Sequence, residues 1–321
     1  MPAKTKFEIK LGAATREAFG RTLVELGREN KDVVVVDADL SKSTMTTYFA
    51  KEFPDRFFSC GIAESNMVGV GAGLAMAGKI PFVASFSVFA VNKGFEQMRI
   101  GAAYGRSNLK VVGTHSGISI GEDGPSQMSI EEISLACSLA GFTVIAPADE
   151  NSTKALVRAS AAFDGPVFIR TGRPKAPIVY GADQKFEIGK AIQVAEGKDI
   201  TLIANGLLVA QSLLAADILD AEGISARVVD MHTAKPIDRD AIARAAGETG
   251  AIVVSEEHLV DCGLGVRVSQ VVAETNPCIM EFVGIHDRYA ESGHPDEMLE
   301  KYHLVAADIA AAARKALARK R

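Results

Sequence analysis

The sequence predicts an α/β protein with two doubly wound, mostly parallel-sheet domains. Short apolar runs rich in β-branched residues alternate with longer amphipathic stretches, which is typical of repeated βα units. Strands of a parallel sheet are buried on both faces, and Val33–Val36 has the continuous apolar character that such a strand requires. The length of 321 residues is sufficient for two domains that each bury a core.

The first predicted domain covers residues 1–180. Its further strands and its first helix are predicted at Leu109–Gly113, Phe142–Ile145, Val167–Arg170 and Thr15–Leu26, the helix with Gly27 as its C-cap. A second helix, over Val68–Ala77, contains Gly69, Gly71 and Gly73. Since each helical glycine is about 1 kcal/mol less favourable than alanine, we expect these glycines at sites of close packing.

The composition changes after residue 180. Residues 181–196 are polar and contain glycine, so they are predicted to form a linker before a second domain at 197–321. Strands of that domain are predicted at Ile200–Ala204, Ser225–Asp230, Ala251–Glu256 and Cys278–Val283. A final helix has its apolar residues on one face.

Composition and charge argue against several classes of function. The net charge of −5 gives no basic stripe of the kind that nucleic-acid binding needs. The four cysteines are scattered without a Cys-x-x-Cys pair, so neither a zinc site nor a disulfide framework is indicated. No apolar run approaches the ~20 residues that span a bilayer, and the N-terminus is polar. We therefore expect a cytoplasmic protein without nucleic-acid or membrane partners.

Two segments contain candidate side chains whose simplest explanation is structural. Glu64 follows a short apolar strand and opens an apolar helix, where a carboxylate stabilises the helix N-terminus by ~0.3–1 kcal/mol. Phe86 and Phe89 lie three residues apart after another apolar run, as core residues often do. Neither observation alone indicates chemistry.

The segment 113–127 is a glycine-rich loop that directly follows a predicted strand. It contains His115 and the sequence Glu122-Asp123-Gly124-Pro125. Ligands of open α/β sheets bind beyond the carboxyl ends of strands, so His115 is better placed for chemistry than a random histidine. The alternative is an Asp-Gly-Pro turn with solvated charges.

Taken together, these segments resemble the signatures of the transketolase family. Residues 61–64 are similar to its Gly-Ile-x-Glu motif, and residues 113–127 are similar to its motif Thr-His-Asp-Ser-Ile-Gly-x-Gly-Glu-Asp-Gly-Pro-Thr-His-Gln. The resemblance covers nearly the whole chain but only the C-terminal half of a conventional transketolase. It implies a pyrimidine-binding domain of the thiamine-diphosphate fold at 1–180 and a transketolase C-terminal domain at 197–321.

The resemblance implies roles for four residues toward thiamine diphosphate. In the family, the glutamate matching Glu64 hydrogen-bonds N1′ of the aminopyrimidine and so helps to form the cofactor's nucleophilic carbon. Phe86 and Phe89 match aromatic residues that stack on the aminopyrimidine and enclose it. Asp39 matches an aspartate near the thiazolium. Asn92 replaces a family tyrosine, which would alter the rim of the pocket.

It also implies roles toward substrate. His115, the second predicted catalytic residue after Glu64, matches a histidine near the donor hydroxyls and the reacting carbon. Asp123 matches a residue that contacts an acceptor hydroxyl. Gln127 replaces a histidine that helps to bind the substrate phosphate, so weaker or different anion binding is expected.

Three further matches concern an anionic substrate tail. Arg16 lies in an Ala-Thr-Arg sequence, Ser43 ends a segment similar to Ala-Asp-Leu-x-x-Ser, and Arg170 or Arg173 matches a strand-end arginine of the same family pocket. A planar guanidinium suits a phosphate or a sulfonate. The combination predicts an anionic substrate.

One part of the family's site is missing from the sequence. Thiamine-diphosphate enzymes hold the diphosphate through a divalent metal bound at a Gly-Asp-Gly motif, and this chain has no Gly-Asp-Gly. No metal ligand is therefore predicted here. Mg²⁺ or Ca²⁺ would be held mainly by an N-terminal transketolase subunit, expected in a heterotetramer of two plus two chains.

The predicted function is that of a split transketolase of pentose phosphate metabolism, which transfers a two-carbon ketol unit from a ketose phosphate to an aldose phosphate. Specialisation for an unusual sugar phosphate or a sulfosugar stays open. The competing interpretations are the β subunit of a 2-oxo-acid dehydrogenase decarboxylase, 1-deoxyxylulose-5-phosphate synthase-like chemistry, and a catalytically silent assembly subunit.

Overall fold

The computed structural model describes residues 7–320, so residues 1–6 and 321 of the two predicted domains lie outside the described range. Its strands are β1 (Leu11–Ala14), β2 (Val33–Asp37), β3 (Phe57–Ser59), β4 (Ile80–Phe86), β5 (Lys110–Thr114), β6 (Thr143–Ile145), β7 (Val167–Arg170), β8 (Lys175–Pro177), β9 (Ile192–Ala195), β10 (Ile200–Ala204), β11 (Ala226–Asp230), β12 (Thr233–Lys235), β13 (Ala251–Leu259) and β14 (Ile279–Ile285).

The helices of the described residues lie between these strands or follow the last one. They are α1 (Thr15–Glu29), α2 (Ser41–Thr44), α3 (Thr47–Glu52), α4 (Glu64–Met76), α5 (Ser87–Gln97), α6 (Glu132–Ser138), α7 (Glu150–Ala162), α8 (Leu208–Ala221), α9 (Arg239–Thr249), α10 (Leu264–Glu274), α11 (Pro295–Lys301) and α12 (Ala306–Arg319). A π-helical segment, Met98–Tyr104, continues α5, and short 3₁₀ turns occur at Pro54–Arg56 and Gly121–Asp123.

The first sheet has seven strands in the order β12-β6-β7-β5-β4-β2-β3. All neighbouring pairs from β6 to β3 are parallel, and β12 adds an antiparallel edge. The chain proceeds in opposite directions from the boundary between β2 and β4, which makes that boundary a topological switch point. Ligands of doubly wound sheets bind in the crevice at such a point.

The second sheet has five strands in the order β14-β13-β10-β11-β9. Its first four strands are parallel and β9 is antiparallel, so the predicted α/β class with mostly parallel sheets is confirmed. The strand β9 lies within residues 181–196, which were predicted to be a linker. That part of the segment is the edge of a sheet, because its backbone pairs with β11; the domain bounds themselves stay a prediction.

The two halves of the chain share a core. Ile118 and Met128, from the loop after β5 and the segment that follows it, belong to the same buried cluster as Leu208 of α8 and Leu299 of α11. The edge strand β12 comes from the second half yet pairs with β6 of the first sheet. The loop after β5 therefore packs against residues from the second half of the chain.

The glycine predictions are partly wrong. Gly27 does not end α1, which continues to Glu29. A side chain at Gly27 would meet the rings of Phe49 and Phe53, so close packing explains this glycine. Gly71 in α4 is also a packing glycine, because a Cβ there would lie 2.3 Å from Val83. Its neighbours at 69 and 73 face open space.

Within residues 7–320, no helix is both long enough and apolar enough to cross a membrane.

Candidate active site

The candidate site lies at the carboxyl ends of the parallel strands of the first sheet. Ser43 belongs to α2, which follows β2, and Glu64 is the first residue of α4, which follows β3. Phe86 ends β4 and His115 directly follows β5. Arg16, near the start of α1, reaches into the same group. Each side chain is thus held at or near the end of a rigid element.

His115 is a buried, neutral histidine in the left-handed backbone region, with φ of 58°. Its Nε2 lies 2.9 Å from Arg16 Nη1, and a guanidinium can only donate, so Nε2 accepts. Nδ1 therefore carries the proton and donates to Thr114 Oγ1 at 2.8 Å. Burial, reinforced by the charges of Arg16 and Arg173, lowers the pKa of His115 to about 3. Non-glycine residues at positive φ often occur at functional sites.

Arg16 is held in place by backbone and ring contacts. Its Nη1 donates both to His115 and to the carbonyl of Ser43, the latter at 2.8 Å. Burial, together with the charge of Arg173, lowers the pKa of Arg16. Its Nε is buried and makes no hydrogen bond, so this guanidinium retains an unused donor. A buried donor without a partner is rare and is consistent with a site that receives an acceptor.

An aromatic stack connects His115 to the surface of α5. The ring centroids of Phe86 and His115 are 3.8 Å apart, and those of Phe86 and Phe89 are 5.8 Å apart with nearly parallel planes. Phe86 is buried and Phe89 is half-buried. These three rings form an aromatic wall in which the half-buried Phe89 is the ring with accessible surface for a planar heterocyclic ligand.

Glu64 lies at the far end of this wall. Its side chain is 3% exposed, and its Oε2 forms an ion pair with Lys93 Nζ at 3.2 Å. The same ammonium lies 4.8 Å from the centroid of the Phe89 ring. Glu64, Lys93, Phe89, Phe86 and His115 thus form one continuous row of contacts.

The two candidate strand-end arginines, Arg170 and Arg173, differ in burial and in their partners. Arg170 is 6% exposed, and its Nε donates to Glu132 Oε1 at 2.5 Å while its Nη2 donates to the carbonyl of Glu257. Buried partners thus occupy Nε and Nη2 of Arg170, and its predicted substrate role stays a prediction. Arg173 is one-third exposed and donates to the carbonyl of Ile120 and to Glu122.

Three predicted residues are less closely connected to the row. Asp123 is exposed, with its Oδ1 3.8 Å from Arg173 Nη1. Gln127 is half-buried, and its side chain contacts neighbouring Ser126. Asp39 is exposed at φ of 65°. Asp123 thus lies on the arginine side of the site, while the roles predicted for Gln127 and Asp39 stay predictions.

Sequence reasoning missed two supporting residues. Asp37 is buried and accepts from Leu40 N, Thr44 Oγ1 and Thr46 Oγ1, which shapes the segment that presents Ser43. Lys93 was also missed. It lies four residues after Phe89 in α5, and this i,i+4 spacing could have indicated that the two side chains meet.

The residues present fit the pyrimidine end of thiamine diphosphate better than its metal end. A buried carboxylate beside an aromatic wall provides a hydrogen-bonding group and a stacking surface for an aminopyrimidine. Within residues 7–320, no group of three or more His, Cys, Asp and Glu side chains is arranged to hold a metal ion.

Fold and site together define the pyrimidine-binding class of thiamine-diphosphate enzyme domains. The chain matches the family described as transketolase, pyrimidine binding domain, over residues 12–178, and the transketolase C-terminal domain over residues 189–309. The chain belongs to the transketolase family, which confirms the resemblance inferred from the motifs.

Relatives of similar length support this assignment. The chain is 43% identical over 299 residues to a Methanocaldococcus jannaschii protein named after the C-terminal section of transketolase, covering 92% of this chain and 93% of the relative. It is 38% identical to a 6-deoxy-6-sulfo-D-fructose transketolase subunit of Clostridium sp., covering 98% of each. A solved structure titled a split gene transketolase, inactive beta4 tetramer, is 48% identical, with a TM-score of 0.90 and coverage of 97% of this chain and 100% of that one.

Proposed function

We propose that this chain is the pyrimidine-binding subunit of a split, thiamine-diphosphate-dependent transketolase that transfers a two-carbon ketol unit between sugar derivatives. The observation that carries the proposal is the row from Glu64 to His115, found in a chain that is similar over nearly its full length to split transketolase subunits. These relatives favour transketolase over the 2-oxo-acid dehydrogenase alternative.

Glu64 and the aromatic wall would hold the aminopyrimidine. The Glu64 carboxylate would share a proton with N1′, and Phe89 and Phe86 would support the ring face and exclude water from it. Thiamine diphosphate, when bound, supplies the nucleophilic carbon and the electron sink for carbon–carbon bond cleavage. The chain's own contribution is to bind and orient the pyrimidine and to hold the proton at Glu64.

His115 and Arg16 would act on the substrate. Thr114 fixes Nδ1 of His115 as the donor, and Nε2 would accept a hydrogen bond from a sugar hydroxyl once Arg16, whose Nη1 occupies that lone pair in the free chain, turns toward the substrate. Arg16, with its unused Nε donor, and Arg173 would attract an anionic substrate tail. Asp123, paired loosely with Arg173, would contact a hydroxyl of the acceptor, and Ser43 would line the anion end.

The substrate class that this arrangement supports is a ketose with a phosphate or a sulfonate at its far end. Two arginines near one histidine provide the positive charge that either group needs. The Clostridium relative is named for a sulfo-sugar, so the sulfonate alternative has support among similar proteins. Gln127, which replaces the phosphate-binding histidine of the family, is the position that would adjust the choice, whereas Asn92 would alter the rim of the cofactor pocket.

A partner chain would supply the residues that bind the metal ion and the diphosphate of the cofactor. A heterotetramer of two plus two chains with Mg²⁺ or Ca²⁺ held by the partner's Gly-Asp-Gly motif, operating in the cytoplasm, is the assembly that we propose. The similar structure titled an inactive beta4 tetramer is consistent with a subunit of this kind being inactive by itself.

The decisive test is donor use by the complex captured on a tagged copy of this chain from its native cell. Thiamine diphosphate and Mg²⁺ are added, with xylulose 5-phosphate plus ribose 5-phosphate, the corresponding sulfo-sugar, or pyruvate with an electron acceptor. Consumption of a ketose that depends on the aldose is expected, together with a co-purified Gly-Asp-Gly chain. Oxidative decarboxylation of pyruvate without ketol transfer would overturn the proposal.

A further inference from the structure

Lys93 makes both of the contacts that the pyrimidine of the cofactor is expected to make. Its Nζ pairs with the Glu64 carboxylate at 3.2 Å and lies 4.8 Å from the Phe89 ring centroid. Glu64 is proposed to hydrogen-bond the edge of the pyrimidine and Phe89 to stack on its face. One ammonium group of the same chain therefore contacts both residues. This inference rests on the proposed role of Glu64 and Phe89 toward thiamine diphosphate.

The Glu64 carboxylate needs a counter-ion when no cofactor is bound. Its side chain is 3% exposed, and a buried carboxylate without a charged or hydrogen-bonding partner is strongly unfavourable. Among residues 7–320, Lys93 is the cation that lies within ion-pair distance of it. In the free chain, Lys93 thus compensates the buried charge of the Glu64 carboxylate. In the cofactor complex, a hydrogen bond from the pyrimidine would do so instead.

The position of Lys93 allows it to leave. Its side chain is 52% exposed, in contrast to the buried carboxylate that it reaches. It stands one helical turn after Phe89 on α5, so its flexible stem can carry the ammonium into solvent without moving the helix. An exposed lysine loses little by returning to water.

We infer that Lys93 is a displaceable counter-ion, which occupies Glu64 and the face of Phe89 in the cofactor-free chain and must leave both when the pyrimidine of thiamine diphosphate binds. Lys93 is then a positioning residue that competes with the cofactor, and it keeps the activating carboxylate in its binding geometry until the cofactor arrives. It stabilises the free chain at the expense of cofactor affinity.

The first test examines the pair in the full chain without cofactor or partner. Thermal midpoints are measured for wild type, K93M, E64Q and the double variant. K93M should lower the midpoint in the wild-type background and have little effect in the E64Q background, because the methionine then faces no buried charge. Equal effects of K93M in both backgrounds would overturn the ion-pair part of the inference.

The second test measures binding of thiamine diphosphate by the reconstituted complex with Mg²⁺, using titration calorimetry. K93M should bind the cofactor about three- to tenfold more tightly, since no ammonium has to be displaced. K93R should bind with near wild-type affinity because it keeps the charge. The matched control is K79M, which removes another half-exposed lysine paired with an exposed aspartate and should change nothing.

The outcomes separate this inference from the proposed function. If wild type binds thiamine diphosphate and K93M binds it equally or more weakly, Lys93 is not a competitor and the inference fails while the proposed function stands. If the wild-type complex does not bind thiamine diphosphate, the proposed function fails and the inference fails with it, although the pair in the free chain can still be demonstrated by the first test.

Discussion

Arg16 Nη1 and His115 Nε2 are 2.9 Å apart, and this contact fixes both the tautomer and the charge state of the histidine. Burial, reinforced by this guanidinium and by Arg173, opposes a second positive charge and lowers the pKa of His115 to about 3, so the ring is neutral near pH 7. The fixed Nδ1 proton leaves Nε2 as the acceptor, which Arg16 uses in the free chain and which a substrate hydroxyl would use when Arg16 turns to an anionic group.

Replacing Arg16 should affect substrate binding and the titration of His115 together. In the reconstituted complex, R16M should raise KM for a phosphorylated or sulfonated ketose about 10- to 100-fold, since charge-assisted hydrogen bonds contribute ~1.5–3 kcal/mol each. The pKa of His115 should rise, because one of the neighbouring charges that lower it is removed.

Steady-state kinetics over a range of pH provide the measurement for this variant, and R21M is its control. Arg21 lies on the same helix, is mostly exposed and pairs with Glu17. An unchanged KM in R16M would show that the anionic tail does not bind at this corner.

The lowered pKa of His115 also predicts a stability effect in acid. The folded chain keeps His115 neutral down to about pH 3, whereas the unfolded chain protonates it near 6.5. Between these values the unfolded state binds more protons, so this residue's contribution to stability is present above about pH 6.5 and is lost as pH falls through the window.

Other buried groups titrate in the same range, so the comparison must be differential. Asp230, whose pKa is raised to about 8 by burial, contributes a slope of opposite sign. The free energies of unfolding of wild type and H115Q should therefore be compared at each pH. On acidification the free energy of unfolding of wild type should fall relative to that of H115Q, by up to ~1.4 kcal/mol per pH unit. A constant difference between pH 7 and pH 4 would contradict a neutral His115.

The positions of the strands were largely predictable because buried parallel strands have a simple sequence pattern. Val33–Val36 is a continuous apolar run, Ile200–Ala204 is apolar except for Thr201, and both form interior strands. The short edge strands β9 and β12 were not predicted. Their residues are partly polar and gain their partners only from a distant part of the chain, which local pattern cannot indicate.

Candidate site residues that lie in sequence motifs could be identified from the sequence. The partners that tertiary packing gives to a side chain could not. The order of the strands brings Glu64, Phe89, Phe86 and His115 into the row, and Arg16 adjoins it at His115. The choice between Arg170 and Arg173 depends instead on where Glu132 and Glu257 lie in the fold. Those carboxylates are far from Arg170 in the sequence, so no local signal indicated the buried pair.

Glu64 should be required for turnover but not for folding. E64Q keeps the size of the side chain and removes the proton-sharing carboxylate, so kcat of the reconstituted complex should fall at least ~100-fold. The fold should persist because glutamine can still hydrogen-bond at the start of α4. E96Q, on the exposed side of α5, is the control and should retain full activity. Turnover of E64Q near the wild-type rate would remove Glu64 from the catalytic machinery and favour the silent-subunit alternative.

Arg170 and Arg173 should separate into a stability residue and a substrate residue. R170M leaves Glu132 and the carboxylate of Glu257 buried without their cation, and breaking a buried ion pair in this way costs ~3–5 kcal/mol. R173M removes a cation that is one-third exposed, so its midpoint should change little while KM for the anionic substrate rises several-fold. Thermal unfolding of both variants, followed by kinetics of the reconstituted complexes, gives the comparison. The assignment would be reversed if R170M unfolded like wild type and showed the larger increase in KM, because Arg170 would then be free to bind substrate rather than held between two carboxylates.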